Sequence, residues 1–96
     1  MPHEVTDNAA RHRYELSRDG AIAHADYRRQ GDTITFVHTE VPEAMAGKGV
    51  GSALVRGALD DARAKGLRVV ARCPFVAAWI ERHPEYRDLL AATGQG

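Results

Sequence analysis

Residues 40–66 read EVPEAMAGKGVGSALVRGALDDARAKG, and the centre of that stretch decides the fold. Gly47, Gly49 and Gly51 alternate with Lys48 and Val50, and a helical apolar pattern begins at once. Glycine costs roughly 1 kcal/mol relative to alanine at an interior helical position, so glycines at a helix mouth need a use. A helix N-terminus presents free N–H groups and a partial positive charge, which together form an anion site. Glycines let the backbone close on a bulky anion such as a phosphate. The competing reading is a glycine-rich turn that only lets helix and strand pack closely. Two familiar phosphate loops do not fit. A P-loop needs G-x-x-x-x-G-K-[ST], and here Lys48 precedes Gly49 to Ser52. A dinucleotide fingerprint needs G-x-G-x-x-G, and Ser52 or Leu54 stands where its third glycine would be.

Downstream of the glycines the period is helical from Val50 to Lys65. Val50, Leu54 and Ala58 form one apolar row, and Val55, Leu59 and Ala62 form the next. Gly66 stops the helix. Leu67–Cys73 is a strand, and Pro74 opens a second helix that Pro84 ends. EYRDLLAA, residues 85–92, reads as a further helical turn or two. Upstream, Asp19-Gly20 and Gly31-Asp32 are turn dipeptides that separate three strands, about His12–Ser17, Ala21–Arg29 and Thr33–Val41. Short turns require antiparallel neighbours, whereas a helical crossover joins parallel strands. In the third strand Ile34, Phe36, His38 and Glu40 share one face, with Thr35, Val37, Thr39 and Val41 on the other. Both faces carry apolar residues, so both are expected to be covered in part. The expected architecture is α/β (α+β): an antiparallel meander, then a β-α-β unit and a C-terminal helix on one mixed sheet. Residues 1–10 are polar and unpatterned and are expected to be frayed; 11–92 form one domain, and 93–96 a tail.

The stretch VPEAMAGKGVGSALV resembles motif A of the GNAT superfamily of acetyl-CoA-dependent N-acetyltransferases, roughly [QR]-x-x-G-x-[GA] after a strand. Ala46 stands where that family has Gln or Arg, so one side-chain contact is missing, while the backbone part from Gly47 to Ser52 is intact. FVHTEVPEAMAGKGVGSALV followed by VVARCPFVAAWIERHPEY is similar to very short GNAT-like proteins. Their pattern is H-T-E-V before the glycine loop and a Cys after the next strand. The match spans residues 12–90. It implies a minimal GNAT-like fold and coenzyme A binding. The amides of Ala46, Gly47, Lys48, Gly49, Val50, Gly51 and Ser52 would lie around the pyrophosphate, and the strand end at Val41 beside the pantetheine arm.

Acetyl transfer to an amine must polarise a thioester carbonyl, remove a proton from the amine and settle the leaving thiolate. The resemblance places the thioester between the C-terminal ends of the two parallel strands. The candidates there are His38, Glu40 and Cys73. Cys73 precedes Pro74 and so lies at the start of a helix, where a thiol is favoured as thiolate. It is a candidate nucleophile, and the short relatives carry Cys at this place as a suspected active-site residue. A buried, inert cysteine is the competing reading. His38 is a candidate base for that thiol or for an amine, with Glu40 to orient it. His24 reads as structural or edge-exposed, and His3, His12 and His83 as surface residues. Phe75, Trp79 and Ile80 read first as core of the second helix, with a place beside the acyl group as the other option.

Ninety-six residues allow one small domain, and 44% apolar with 27% charged residues fits a soluble globular chain. Thirteen basic residues balance thirteen acidic ones, which gives no drive toward nucleic acid or anionic membrane. The single cysteine and the absence of an apolar leader point to a reduced, cytoplasmic protein. No ligand spacing such as H-E-x-x-H occurs, so no metal site is expected. Full-size GNAT domains carry further helices and strands that build the acceptor site. Here the acceptor pocket is either open or completed by a second subunit in a weak homodimer. The acceptor amine, small molecule or protein, is not readable. Two functions stay open at this point: an N-acetyltransferase working from acetyl-CoA, with or without Cys73, and a non-catalytic CoA-binding or protein-interaction module.

Overall fold

The computed structural model describes residues 5–91. Five strands form one sheet in sequence order: β1 (Val5–Asn8), β2 (Arg13–Arg18), β3 (Ala21–Gln30), β4 (Thr33–Glu40) and β5 (Arg68–Ala71). The first four pair antiparallel, and β4 pairs parallel with β5 across the helix α1 (Val50–Ala64). The helix α2 (Pro74–Arg82) and a 3-10 segment, Pro84–Leu89, follow β5. The mixed sheet, the meander and the crossover agree with the reading of the turns. Asp19 and Gly20 both have positive φ, as a two-residue hairpin turn requires. At Gly66 the Leu67 amide donates to the Ala62 carbonyl and the Gly66 amide to that of Arg63, which is a Schellman stop. The expected tail at 93–96 lies outside the described residues.

The core lies on one face of the sheet. Tyr14, Leu16, Ala23, Ala25, Tyr27, Ile34, Phe36 and Val69 point toward α1 and α2 and are buried, as are both apolar rows of α1. The opposite face carries Thr33, Thr35, Val37, His38 and Glu40 of β4, and no described element covers it; Val37 is 37% exposed. The expectation that both faces are covered is therefore corrected. The three apolar strand residues on that side, Ile22, Val37 and Val70, do not form a layer large enough to hold one.

A frayed segment through residue 10 is also corrected, because Val5–Asn8 pairs with Arg13–Leu16 as an edge strand. Its fastening is distant in sequence. Val5 packs on Gly57 of α1, where an added Cβ would lie 2.7 Å from the Val5 Cβ. Asp7 accepts from the Tyr27 hydroxyl at 2.6 Å and pairs with Lys65 at 3.1 Å. Beside it, the Tyr14 hydroxyl donates to Asp61 at 2.6 Å. Burial first, and then the Asp61 carboxylate, hold the Tyr14 hydroxyl well above its ordinary pKa; burial and Asp7 do the same for Tyr27. Burial alone would raise Asp61, but hydrogen bonds from Lys65 and Tyr14 outweigh it and keep this carboxyl below its usual range.

Candidate active site

The parallel ladder between β4 and β5 stops at Phe36 and Ala71. The amides of both Arg72 and Cys73 donate to the single Phe36 carbonyl, at 3.0 and 2.9 Å, and the chain then turns into α2. β4 runs on to Glu40 while paired only with β3. Its edge toward β5 is thus open from Val37 onward. The result is a fork with α1 beginning near its mouth.

The glycine loop leads into α1 there. Gly47 and Gly49 have φ of +77° and +71°, in the left-handed region, and open space surrounds the position of a Cβ at either. Gly49 is the N-cap and offers no side-chain cap to the helix. The first helical bond runs from Ala53 to Gly49, so the amides of Val50, Gly51 and Ser52 precede the ladder. This set of donors with two left-handed glycines suits a multiply charged anion. Ala46, Lys48 and Ser52 are exposed, whereas the Val50 side chain is buried, which leaves its amide alone as a contact. The Ser52 hydroxyl oxygen accepts from the Trp79 indole at 2.8 Å and so ties α1 to α2. Gly51 has a different task from its neighbours. A Cβ there would meet Phe75 Cζ at 2.8 Å and Val41 Cγ2 at 3.5 Å, so this glycine makes room for packing across the fork.

Cys73 is the N-cap of α2 and is 4% exposed. Its sulfur lies 3.4 Å from the Thr39 hydroxyl, across the fork. His38 is not on that side. A β-bulge at Val37 shifts the β3–β4 register between Tyr27–Phe36 and Asp26–His38. The extra residue inverts the alternation. Thr39 then points with Phe36 toward the core, while His38 and Glu40 point to the open face. The expected shared face for Ile34, Phe36, His38 and Glu40 is corrected accordingly, and His38 is separated by β4 from the thiol it was expected to activate. On the open face His38 Nε2 lies 3.3 Å from Glu40, and His24, read from sequence as structural or edge-exposed, joins them with Nδ1 2.8 Å from Asp26. Phe75 is 41% exposed and so is not the core residue expected. His83 stacks on Trp79 and its ring nitrogen contacts the Trp79 carbonyl at 2.8 Å, so it too is more than a surface residue. Thr39, Asp26 and the Gly51–Phe75 contact had no readable signal: each depends on the bulge or on the meeting of two distant segments. Among the described residues no cluster has the donors for a metal ion, and no helix is long and apolar enough to cross a membrane.

An antiparallel meander, a crossover helix that starts on glycines and a fork between two parallel strands together define an acetyltransferase-type α+β fold. The family model described as GCN5-related N-acetyl-transferase matches residues 13–89, and the chain belongs to that family. It is similar to a GCN5-like protein from Staphylococcus aureus whose structure was determined by NMR in solution. The two share 25% identity with a TM-score of 0.70, over 95% of this chain and 91% of that one.

Proposed function

We propose that the chain binds acetyl-CoA and transfers its acetyl group to an amine. The carrying observation is the fork between β4 and β5, open on the β4 edge, with the uncapped glycine-led start of α1 at its mouth. The loop amides would take the pyrophosphate, and the β4 edge up to Val41 would run beside the pantetheine arm. In the route through Cys73, its sulfur forms a bond to the acetyl carbon, the thioester C–S bond breaks, and the CoA sulfur leaves and takes a proton. The acceptor nitrogen then displaces the Cys73 sulfur and gives up its proton. The bulge divides the labour: Cys73 and Thr39 serve the thioester, and His38 with Glu40 receives the proton of an amine that approaches from the open face. In the direct route the same base serves an amine that attacks the acetyl-CoA carbonyl, with Cys73 only lining the fork.

Coenzyme A should raise the melting temperature, since a ligand held by the native state alone adds about 2.7 kcal/mol at a hundredfold excess over Kd. Gly49→Val, which puts a β-branched residue at positive φ in the donor loop, should remove that shift. Intact mass after incubation with acetyl-CoA should show one added acetyl group, absent in Cys73→Ala. No melting shift at millimolar CoA would refute the binding reading. A shift without any acetylated protein, and with full turnover by Cys73→Ala, selects the direct route. A shift with no acetyl transfer to any amine leaves a CoA-binding module.

A further inference from the structure

The open face of the sheet carries two groups of opposite chemistry side by side. The first is a square of two histidines and two carboxylates. The register sets His24 opposite Glu40 and Asp26 opposite His38. His24 contacts Asp26 at 2.8 Å and approaches Glu40 to 3.9 Å, while His38 approaches the same Glu40 oxygen to 3.3 Å. Arg13, opposite Asp26 on β2, is turned instead to Glu15 at 2.7 Å. The second group begins one step along. A concavity of about 430 Å³ is lined by Arg28, Gln30, Thr33, Thr35, Val37 and Arg72. Its polar lining consists of two guanidinium groups, one amide and two hydroxyls, with no carboxylate. Among the described residues neither arginine has an ion pair or a hydrogen-bonded side-chain partner.

The concavity is placed where the chemistry would need it. Val37 is the bulge residue, and Arg72 is the residue before Cys73, with its amide on the Phe36 carbonyl where the fork opens. Asp26 and Arg28 lie two residues apart on one face, roughly 7 Å along the strand. That is the span of a short molecule with a cation at one end and an anion at the other.

We propose that the open face is the acceptor site, and that the acceptor is a small primary amine carrying an anionic oxygen group, of the amino-carboxylate or aminoalkyl-phosphate kind. This rests on the acetyl-transfer reading. The ammonium lies between Asp26 and Glu40, beside His38. The anionic group lies between Arg28 and Arg72, with Thr33, Thr35 and Gln30 completing its hydrogen bonds. Guanidinium groups suit planar or tetrahedral oxyanions because they offer parallel donors. Exposed charge pairs contribute little one by one, so the site works by matching several groups at fixed spacing.

The test compares matched acceptors at saturating acetyl-CoA: a plain alkylamine, a diamine, an ω-amino carboxylate and an aminoalkyl phosphate of equal chain length. At least one of the two anionic acceptors should exceed the alkylamine and the diamine in kcat/KM by about tenfold, as loss of one charged hydrogen bond implies. Which of the two leads identifies the anion. Arg28→Gln and Arg72→Gln, both at exposed positions, should each cut that preference about tenfold. A binding readout is independent of turnover. Titration of the CoA complex with the preferred anionic amine should shift the backbone NMR signals of Arg28, Thr35 and Arg72. Equal rates for all four amines, or a preference untouched by both substitutions, would overturn the proposal. So would a CoA complex whose signals at these residues do not move. Failure of CoA itself to bind would instead strike the reading on which it rests.

Discussion

Val37 is the residue on which the site turns. Up to Phe36 the strand alternates as a period of two requires, and one extra residue then sends Thr39 to the fork and His38 to the open face. Gly51 is the second such residue. Its missing Cβ is filled by the tip of Phe75, a side chain already 41% exposed. Gly51→Ala should therefore displace that ring into solvent at small cost. The helix-propensity gain of roughly 1 kcal/mol offsets most of the lost contact, so chemical denaturation should show a change within about 1 kcal/mol. A loss of several kcal/mol would show that the ring cannot move. The candidate site was legible in part at this scale. The glycines stand out at a helix mouth, and Cys73, His38 and Glu40 stand out because they lie near the ends of the two strands between which the resemblance places the thioester. Their grouping was not legible, because a bulge at a valine leaves no mark in composition or period.

Among the strands, β1 is the one the sequence conceals. Only Val5 of its four residues is apolar, and the contacts that order it come from Tyr27, Gly57 and Lys65. Gly57 accordingly differs from Gly51. An added Cβ there would meet the Val5 Cβ at 2.7 Å, an atom fixed to the strand backbone, so β1 must shift as a whole. Gly57→Ala should lower stability by about 1–3 kcal/mol despite the better helix former. Val5→Gly in the same chain, which removes that Cβ, should recover part of that loss, and a double-mutant cycle from denaturant midpoints measures the coupling. Additive effects would mean that the strand does not rest on the helix. The other elements were legible because glycine and proline punctuate them: Asp19-Gly20, Gly31-Asp32, Gly66, Pro74 and Pro84 each mark an observed boundary.

The molecule as a whole places its ionisable tyrosines in the core, hydrogen-bonded to carboxylates. Tyr14 and Tyr27 both have raised pKa values, so the native state keeps protons that the unfolded chain releases above about pH 10. The unfolded state then binds fewer protons than the native one, and stability falls as pH rises. Below that range the contribution is complete. Asp61 acts at the other end: its carboxyl is held low, so its contribution is lost as pH falls through the folded value. Thermal melts from neutral pH upward should show a steep alkaline decline, and Tyr14→Phe should make it shallower while removing about 1 kcal/mol at neutral pH. An unchanged alkaline slope in that variant would show that Tyr14 does not carry the effect.

The one-sided core also fixes an order of events during synthesis. Residues 5–40 supply four strands whose inner face, from Tyr14 to Phe36, is covered only by segments made later, between Met45 and Leu89. At ~5–20 residues per second, translation leaves that face bare for a time on the order of seconds. A nascent meander with uncovered tyrosines and a free strand edge is a target for chaperones and for aggregation. Slow codons between residues 41 and 89 would lengthen this exposure, whereas the same codons before residue 13 would not.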